Sequence, residues 1–438
     1  MTRSNFSASV SRGRFEALAW ALARERGADM VLSAPGYPAQ TVPVVGVGLA
    51  DELVFTEATG PGEIKAFCFG SPGPAMGVVG YGYGMLLRGV ETARPSGFPL
   101  GHLKKYAAWL EYHEASGLVV AESADAGLLD ELAAMLDAVP ERPAPAPRPP
   151  FPAGEPGFSL GREGYEAGVR EVLARIRTGH TYQLNLSTRC VWRCPGLDAL
   201  ALLRSLWRSH PAPFYAWFAS GRHRVLSTSP ERFLRVAEGR VLSQPIKGTL
   251  RFDAGSSGLA ERLTGSAKES AELSMIVDLV RNDIAANCRY GSVRVERHKS
   301  VFAVDNLLQM YSDVVGELRP DRDCLDLFLD AFPGGSVTGC PKRSSMGIIE
   351  ALEPHPRGMY CGSVVVVRDE RNMDSSIAIR TAVFDADAGR LDVFAGSGIV
   401  VDSDPADEYR ETMAKMEKFL KGDASCCTIA TAASAPGE

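Results

Sequence analysis

The sequence predicts an α+β fold, on three observations. Strand-like runs fall in adjacent pairs joined by short turns, as around Asp385–Gly389, a hairpin pattern that a doubly wound parallel sheet does not produce. Segments of helical periodicity alternate with those pairs. With 438 residues, 45% hydrophobic and 23% charged, the chain has globular composition and can bury a large core.

In chain order, Phe15 to Ala23 reads as an amphipathic helix, interrupted by Glu16 and followed by Arg24 and Arg26, which is not the pattern of a secretory leader. Val42 to Val47 is a short apolar run, Gly80, Gly82 and Gly84 mark turns, and Leu128 to Leu136 is helical. Eight prolines fall in residues 138–156, a stretch that favours extended chain and packs no core. It divides an N-terminal part, residues 1–137, read as a small-ligand or regulatory-like subdomain integrated with the same body, from residues 158–421, with 138–157 as the linker. Beyond it, Arg224–Ser227, Gly362–Val367, Ala378–Phe384 and Leu391–Phe394 read as strands. Tyr165–Thr178, Ser266–Cys288 and Asp407–Leu420 read as helices. Residues 422–438 are expected to fray.

Composition excludes several classes of function. Lys and Arg number 47 against 53 Asp and Glu, a net charge of −6 with no basic run, so no nucleic-acid partner is expected. Nine scattered cysteines suit reduced thiols in a cytoplasmic protein. Cys190 and Cys194 have no second pair at zinc-site spacing. No apolar run approaches the roughly 18 residues of a membrane span.

Four features carry chemistry. Glu269 and Glu272 lie three apart on one helix beside Ile276 and Val280, and Glu408 and Glu411 repeat the spacing on the last helix, where Asp404 caps, Pro405 opens and Lys415 extends the face. Four carboxylates on two helices suit a Mg²⁺ site, although spacing alone favours two solvated faces with Glu-to-Lys pairing. Lys247, in Gln244-Pro245-Ile246-Lys247-Gly248-Thr249, is a lone lysine in an apolar, Gly-punctuated turn; desolvation there would make it nucleophilic, and an exposed turn lysine is the commoner case. Gly396-Ser397-Gly398 after a strand offers backbone amides to a carboxylate. Phe332 to Lys342 is a Gly-rich loop with hydroxyls but without nucleoside-triphosphate spacing.

Together, and in this order, these segments resemble the chorismate-utilising enzymes: the synthase components for anthranilate and aminodeoxychorismate, with the isochorismate and salicylate synthases. The resemblance runs from about Tyr165 to Leu420 through Thr181-Tyr182-Gln183-Leu184-Asn185-Leu186-Ser187, Ser229-Pro230-Glu231, Met275–Asp283, Gly334–Lys342, Gly396–Val400 and Glu408–Lys415. It implies a large antiparallel two-sheet sandwich flanked by helices, the fold of chorismate-binding enzymes, and it overturns the solvated-face reading of the Glu pairs. It further implies a chorismate pocket with Mg²⁺ on Glu272 and Glu411, and with Glu269 and Glu408 holding its waters. Arg380 and Tyr360 resemble the binders of the enolpyruvyl carboxylate, helped by amides near Gly396, Ser397 and Gly398. Glu231 resembles the general acid for the 4-hydroxyl. Thr249, Thr338 and Lys415 fall in substrate-binding motifs.

Two positions sort the subfamilies. Gln183 stands where water-using members have an activating lysine, as in ammonia-using members. Pro245-Ile246-Lys247-Gly248-Thr249 matches aminodeoxychorismate synthase component I, in which the lysine attacks ring carbon 2 before ammonia attacks carbon 4. The family's histidine is replaced by Asn306, which fits a product that keeps its enolpyruvyl group, and the arginine expected three residues after the motif's Thr appears as Arg251, two after it. Val31-Leu32-Ser33 and Pro211-Ala212-Pro213 resemble tryptophan-binding elements only loosely. No cysteine has a glutaminase context, so ammonia is expected from a separate glutamine amidotransferase subunit. The resemblance leaves open a sister activity making aminodeoxyisochorismate or anthranilate, and a catalytically weak subunit that activates a glutaminase.

Overall fold

The computed structural model describes residues 4–38, 40–141, 155–251, 258–304 and 307–421. Most of the Pro-rich linker, Asn306, the tail with Cys426 and Cys427, and the side chains of Thr249 and Arg251 lie outside the described residues.

Among the described residues, twenty strands join in one sheet. Its bend is the long antiparallel pair Val44–Val54 and Gly101–His113. From there one arm runs through Ala75–Val79, Ser363–Asp369, Asn372–Ile377, Arg232–Ala237 and Arg240–Gln244 to Leu307–Glu317, which also pairs with Ile246–Arg251 and Arg294–Val304. The other arm runs through Asp29–Leu32, Phe214–Ser220, His223–Ser229, Thr381–Asp385 and Arg390–Ile399 to Gln183–Arg193. Val31, Ala216, Phe218 and Val383 of one arm pack on Met76, Val78, Val364 and Val366 of the other, so the arms face each other as a sandwich with a dry interior. Helices Arg12–Glu25, Ala126–Ala138, Ala199–Ser209 and Pro405–Lys421 cover one outer face through Leu18, Leu132, Leu203 and Phe419. Pro61–Phe69, Ala267–Ala285 and Cys324–Ala331 cover the other through Ile64, Ile276 and Phe328. Each buries an apolar stripe that would otherwise face water.

Strands of residues 1–137 pair directly with strands of the C-terminal part: Asp29–Leu32 with Phe214–Ser220, and Ala75–Val79 with Ser363–Asp369. The hairpin at Asp385–Gly389 and the helices near Leu128, Tyr165, Ser266 and Asp407 form as their patterns predict.

Four local expectations are corrected. The Gly80–Gly84 segment opens a short helix, Tyr81–Leu87, because Tyr81, Tyr83 and Met85 gain burial there. Lys247 sits in a strand rather than a turn; the glycine signal marks a bulge, with Gly248 at φ +73° and a register shift between Lys247 and Thr249. Gly396-Ser397-Gly398 likewise continues the strand Arg390–Ile399, opposite Asn185–Ser187. The run Ala378–Phe384 is broken, since the strand starts at Thr381 and Arg380 adopts φ +50°.

Candidate active site

A cavity of about 420 Å³ opens between the ends of both arms of the sheet and the two Glu-bearing helices. One wall, built from the strand Ile246–Arg251 and from turns that lead into strands, carries Lys247 with Glu231, Tyr360 and Arg380, and its helix-built wall carries Glu269, Glu272, Glu408, Glu411 and Lys415. Gly396 and Gly398 lie along the same cavity.

Glu231 follows the Ser229-Pro230 turn, which is pinned at three points. The Ser229 hydroxyl donates to the Ile377 carbonyl at 2.7 Å, the Glu231 amide donates to Ser229 Oγ at 3.2 Å, and the Ile377 amide donates to the Glu231 carbonyl at 3.1 Å. The carboxyl is buried and accepts a hydrogen bond from the Ser336 hydroxyl at 2.9 Å. Burial pushes its pKa up to about 7, against the opposing pull of Ser336, Lys247 and Lys415. A carboxyl that keeps its proton near neutrality can act as an acid.

Lys247 Nζ stands 3.9 Å from Glu272 Oε2. A Cβ on Gly398 would come within 2.9 Å of that amine, so the glycine keeps room for it. Lys415 Nζ donates to the Gly396 carbonyl at 3.0 Å and pairs with Glu411 at 2.6 Å. Desolvation pulls its pKa down.

Each helix presents its carboxylates through a capped start. Ser266 Oγ accepts from the Glu269 amide at 3.3 Å, and Asp404 Oδ1 accepts from the amides of Ala406 and Asp407 at 2.9 and 3.0 Å. Glu408 is buried and accepts from the Ser403 hydroxyl at 2.6 Å. Glu272 and Glu411 each stand against a lysine, and among the described residues no three His, Cys, Asp or Glu side chains are gathered as a metal cluster. All four glutamates nonetheless open on one cavity, and oxygen donors of this kind suit a hard cation.

Arg380 is held in its left-handed conformation by Thr228, whose amide and hydroxyl both donate to the Arg380 carbonyl, at 3.1 and 2.6 Å. Strained backbone of this kind concentrates where a side chain must be aimed. The Tyr360 ring stacks on Phe394 at 5.5 Å. Beneath it the buried Arg357 donates to Glu353 and to the carbonyls of Asn185 and Val337 at 2.6–2.9 Å. Burial raises the Tyr360 hydroxyl pKa well above its usual value.

Three predicted site residues do not line the cavity. Gln183 is buried beside the Gly339-Cys340 strand. The Thr338 hydroxyl donates to the Gly334 carbonyl at 2.9 Å, and that of Ser397 shares a 2.9 Å hydrogen bond with Tyr165. Thr249 contributes backbone pairing with Gln309. Sequence reasoning did not single out Asn185, Ser336 and Gln309, which do line the cavity. It also missed the partly buried pair Lys342–Asp283, at 2.9 Å, which ties the Gly334–Lys342 loop to the helix bearing Glu272; both residues sat in the motifs, but nothing in the sequence joins them. Between the arms of the sheet, near Val31 and Phe214, the free space is only about 20 Å³, room for about one water.

Residues 47–421 match the family model of the chorismate binding enzymes. The chain is 41% identical over 254 residues to aminodeoxychorismate synthase component 1 of Klebsiella aerogenes, covering 57% of this chain and 56% of that one. It is 40% identical over 257 residues to anthranilate synthase component 1 of Aquifex aeolicus, covering 58% and 51%. The chain thus spans about half the length of the curated relatives it matches. Among solved structures, anthranilate synthase component I of Streptococcus pneumoniae superimposes with a TM-score of 0.75 at 25% identity, over 89% of this chain and 94% of that one. The menaquinone-specific isochorismate synthase MenF of Escherichia coli shares the fold at a TM-score of 0.75 and 17% identity, over 96% and 94%. With a family match across most of its length and a cavity carrying the expected acid, lysine and glutamates, the chain belongs to the chorismate binding enzymes.

Proposed function

We propose that this protein aminates chorismate at carbon 4 with ammonia, giving 4-amino-4-deoxychorismate, as aminodeoxychorismate synthase component I. The observation that carries the reading is the placement of Lys247 and a buried, neutral-leaning Glu231 on one cavity wall. The Lys247 amine attacks ring carbon 2 while the carbon 4–oxygen bond breaks and Glu231 gives its proton to the departing hydroxyl, which leaves as water. Ammonia then attacks carbon 4, the carbon 2–nitrogen bond breaks, and Lys247 recovers its amine. Arg380 and Tyr360 hold the enolpyruvyl carboxylate, with the Gly396–Gly398 strand alongside. Glu272 and Glu411 would hold Mg²⁺ with Glu269 and Glu408 on its waters, and the cation would offset the charge of the ring carboxylate.

No residue of 1–137 lines the cavity, so in this reading residues 158–421 carry the chemistry and the N-terminal part completes the sandwich. Relatives named as component 1 support a separate glutaminase subunit as the ammonia source. Free cysteines at all seven described positions support a cytoplasmic setting, and no described helix is long and apolar enough to cross a membrane. Similarity to an anthranilate synthase component 1 favours ortho amination as the second reading.

Mass spectrometry of the product from chorismate, Mg²⁺ and ammonium separates these. Aminodeoxychorismate is expected. Anthranilate fluorescence without added lyase would establish the second reading, and absence of turnover at saturating ammonium would leave a glutaminase-activating subunit.

A further inference from the structure

Arg357 opens the turn that leads to Tyr360, is 3% exposed and does not itself line the cavity. Its guanidinium donates to both oxygens of Glu353 at 2.9 and 2.7 Å, to the Val337 carbonyl at 2.9 Å and to the Asn185 carbonyl at 2.6 Å. Glu353 is in turn fixed by the amide and hydroxyl of Ser187, both donating at 2.8 Å. The guanidinium carbon lies 4.8 Å from the Tyr81 ring centroid and 5.7 Å from that of Tyr360, distances at which a cation is drawn to an aromatic ring. Backbone bonds tie the same turn down: the Tyr360 amide donates to the Arg357 carbonyl at 2.9 Å, and the Tyr81 amide to the Gly358 carbonyl at 2.8 Å. A buried ion pair is a poor device for stability alone, because apolar groups of similar volume often serve as well. This one joins Asn185, Val337 and Tyr360, which come from distant stretches of chain and all line the cavity.

We propose that Arg357 is the positioning residue of Tyr360: anchored on Glu353, Val337 and Asn185 and braced by Tyr81 of the N-terminal part, it fixes where the Tyr360 hydroxyl meets the substrate. The role rests on the reading above in which Tyr360 holds the enolpyruvyl carboxylate. Arginine suits it because one rigid planar fork donates along several directions at once, whereas a lysine brings a single nitrogen on a flexible stem. The N-terminal part therefore reaches the substrate through the Tyr81–Arg357 contact, without lining the cavity.

The test is a double-mutant cycle on the chorismate Kd, measured by calorimetric titration with Mg²⁺ and without ammonium. Arg357→Lys keeps a charge opposite Glu353 and loses the fork; Tyr360→Phe keeps the ring and loses the hydroxyl. Each should raise Kd about tenfold, the worth of one hydrogen bond to a charged group. Adding Arg357→Lys to Tyr360→Phe should change Kd by less than about twofold, since the two act on one interaction. An unchanged Kd in Arg357→Lys overturns the assignment, and so does a double variant weakened by the product of the single effects, as a general loosening of the fold would give. If Arg357→Lys does not fold, Tyr81→Leu takes its place in the cycle: a rise of about threefold that vanishes with Tyr360→Phe supports the assignment, and an unchanged Kd overturns it. An unchanged Kd in Tyr360→Phe refutes the carboxylate role of Tyr360 and this assignment with it. A wild type that binds chorismate without aminating it refutes the reaction proposed above, while the cycle still decides the role of Arg357.

Discussion

The two walls of the cavity are built from different materials and hold their charges differently. On the strand wall Glu231 is 5% exposed, pinned by the Ser229 turn and capped by Ser336, and burial carries its pKa to about 7. On the helix wall the Glu411 side chain is 57% exposed and leans on Lys415 one turn away. One residue type thus does two jobs. A desolvated carboxyl keeps a proton to give, and a solvated one keeps a charge to offer. Helix spacing delivers carboxylates in pairs, and the burial that raises the Glu231 pKa comes from the turn that holds it.

The largest effect expected on that contrast is at the strand wall. Lys247→Ala should cut amination at carbon 4 on the order of 10³-fold or more, as loss of a nucleophile does, and open space for ammonia to attack carbon 2. Product analysis would show aminodeoxyisochorismate-type material; undiminished aminodeoxychorismate refutes a covalent role. Glu231→Gln should lower kcat by about 10²- to 10⁴-fold and also stabilise the fold at pH 8. The unfolded carboxyl ionises near 4.5 and the folded one near 7, so stability is lost as pH rises through that window, by about 3 kcal/mol once both are ionised. Denaturant unfolding of the Gln variant at pH 5 and pH 8 measures this, and equal stability change at both values contradicts the raised pKa.

The helix wall should respond through the metal. Glu272→Gln or Glu411→Gln should remove most Mg²⁺ dependence, and Glu269→Gln or Glu408→Gln should cost about 10- to 100-fold, the range for groups behind a ligand. Titration of activity with Mg²⁺ distinguishes them, and four negligible effects would make this wall a solvated surface. The smallest effect is in the pH profile. Rate per total ammonium should climb from pH 6 as free ammonia grows, whereas rate per free ammonia should fall above about pH 7 as Glu231 loses its proton. A flat second curve separates the acid step from turnover.

Local patterns made much of this legible. Asp404 and Pro405 announce their helix, and the three-residue spacing puts Glu408 and Glu411 on one face, as found. The glycines beside Lys247 and around Ser397 signalled turns, yet both segments extend as strands, since neighbours distant in sequence supply their pairing. Ser336 and Gln309 drew no notice for the same reason, their meaning depending on Glu231 and on a cavity assembled from ten separate stretches of chain. Gln183, flagged by its place in a motif, does not line that cavity. The motif identifies the segment, and only the packing says which of its side chains meet the substrate.

The cross-pairing of the two parts of the chain bears on how the protein can be cut. A fragment of residues 158–421 would keep the whole cavity lining but lose Asp29–Leu32 and Ala75–Val79. Strands Phe214–Ser220 and Ser363–Asp369, mostly buried and rich in Phe, Trp and Val, would then become bare edges, each a template for another molecule's backbone. Such a fragment should precipitate rather than catalyse, and adding residues 1–141 as a separate chain should rescue it, because the missing strands restore the hydrogen-bond ladder without any covalent link.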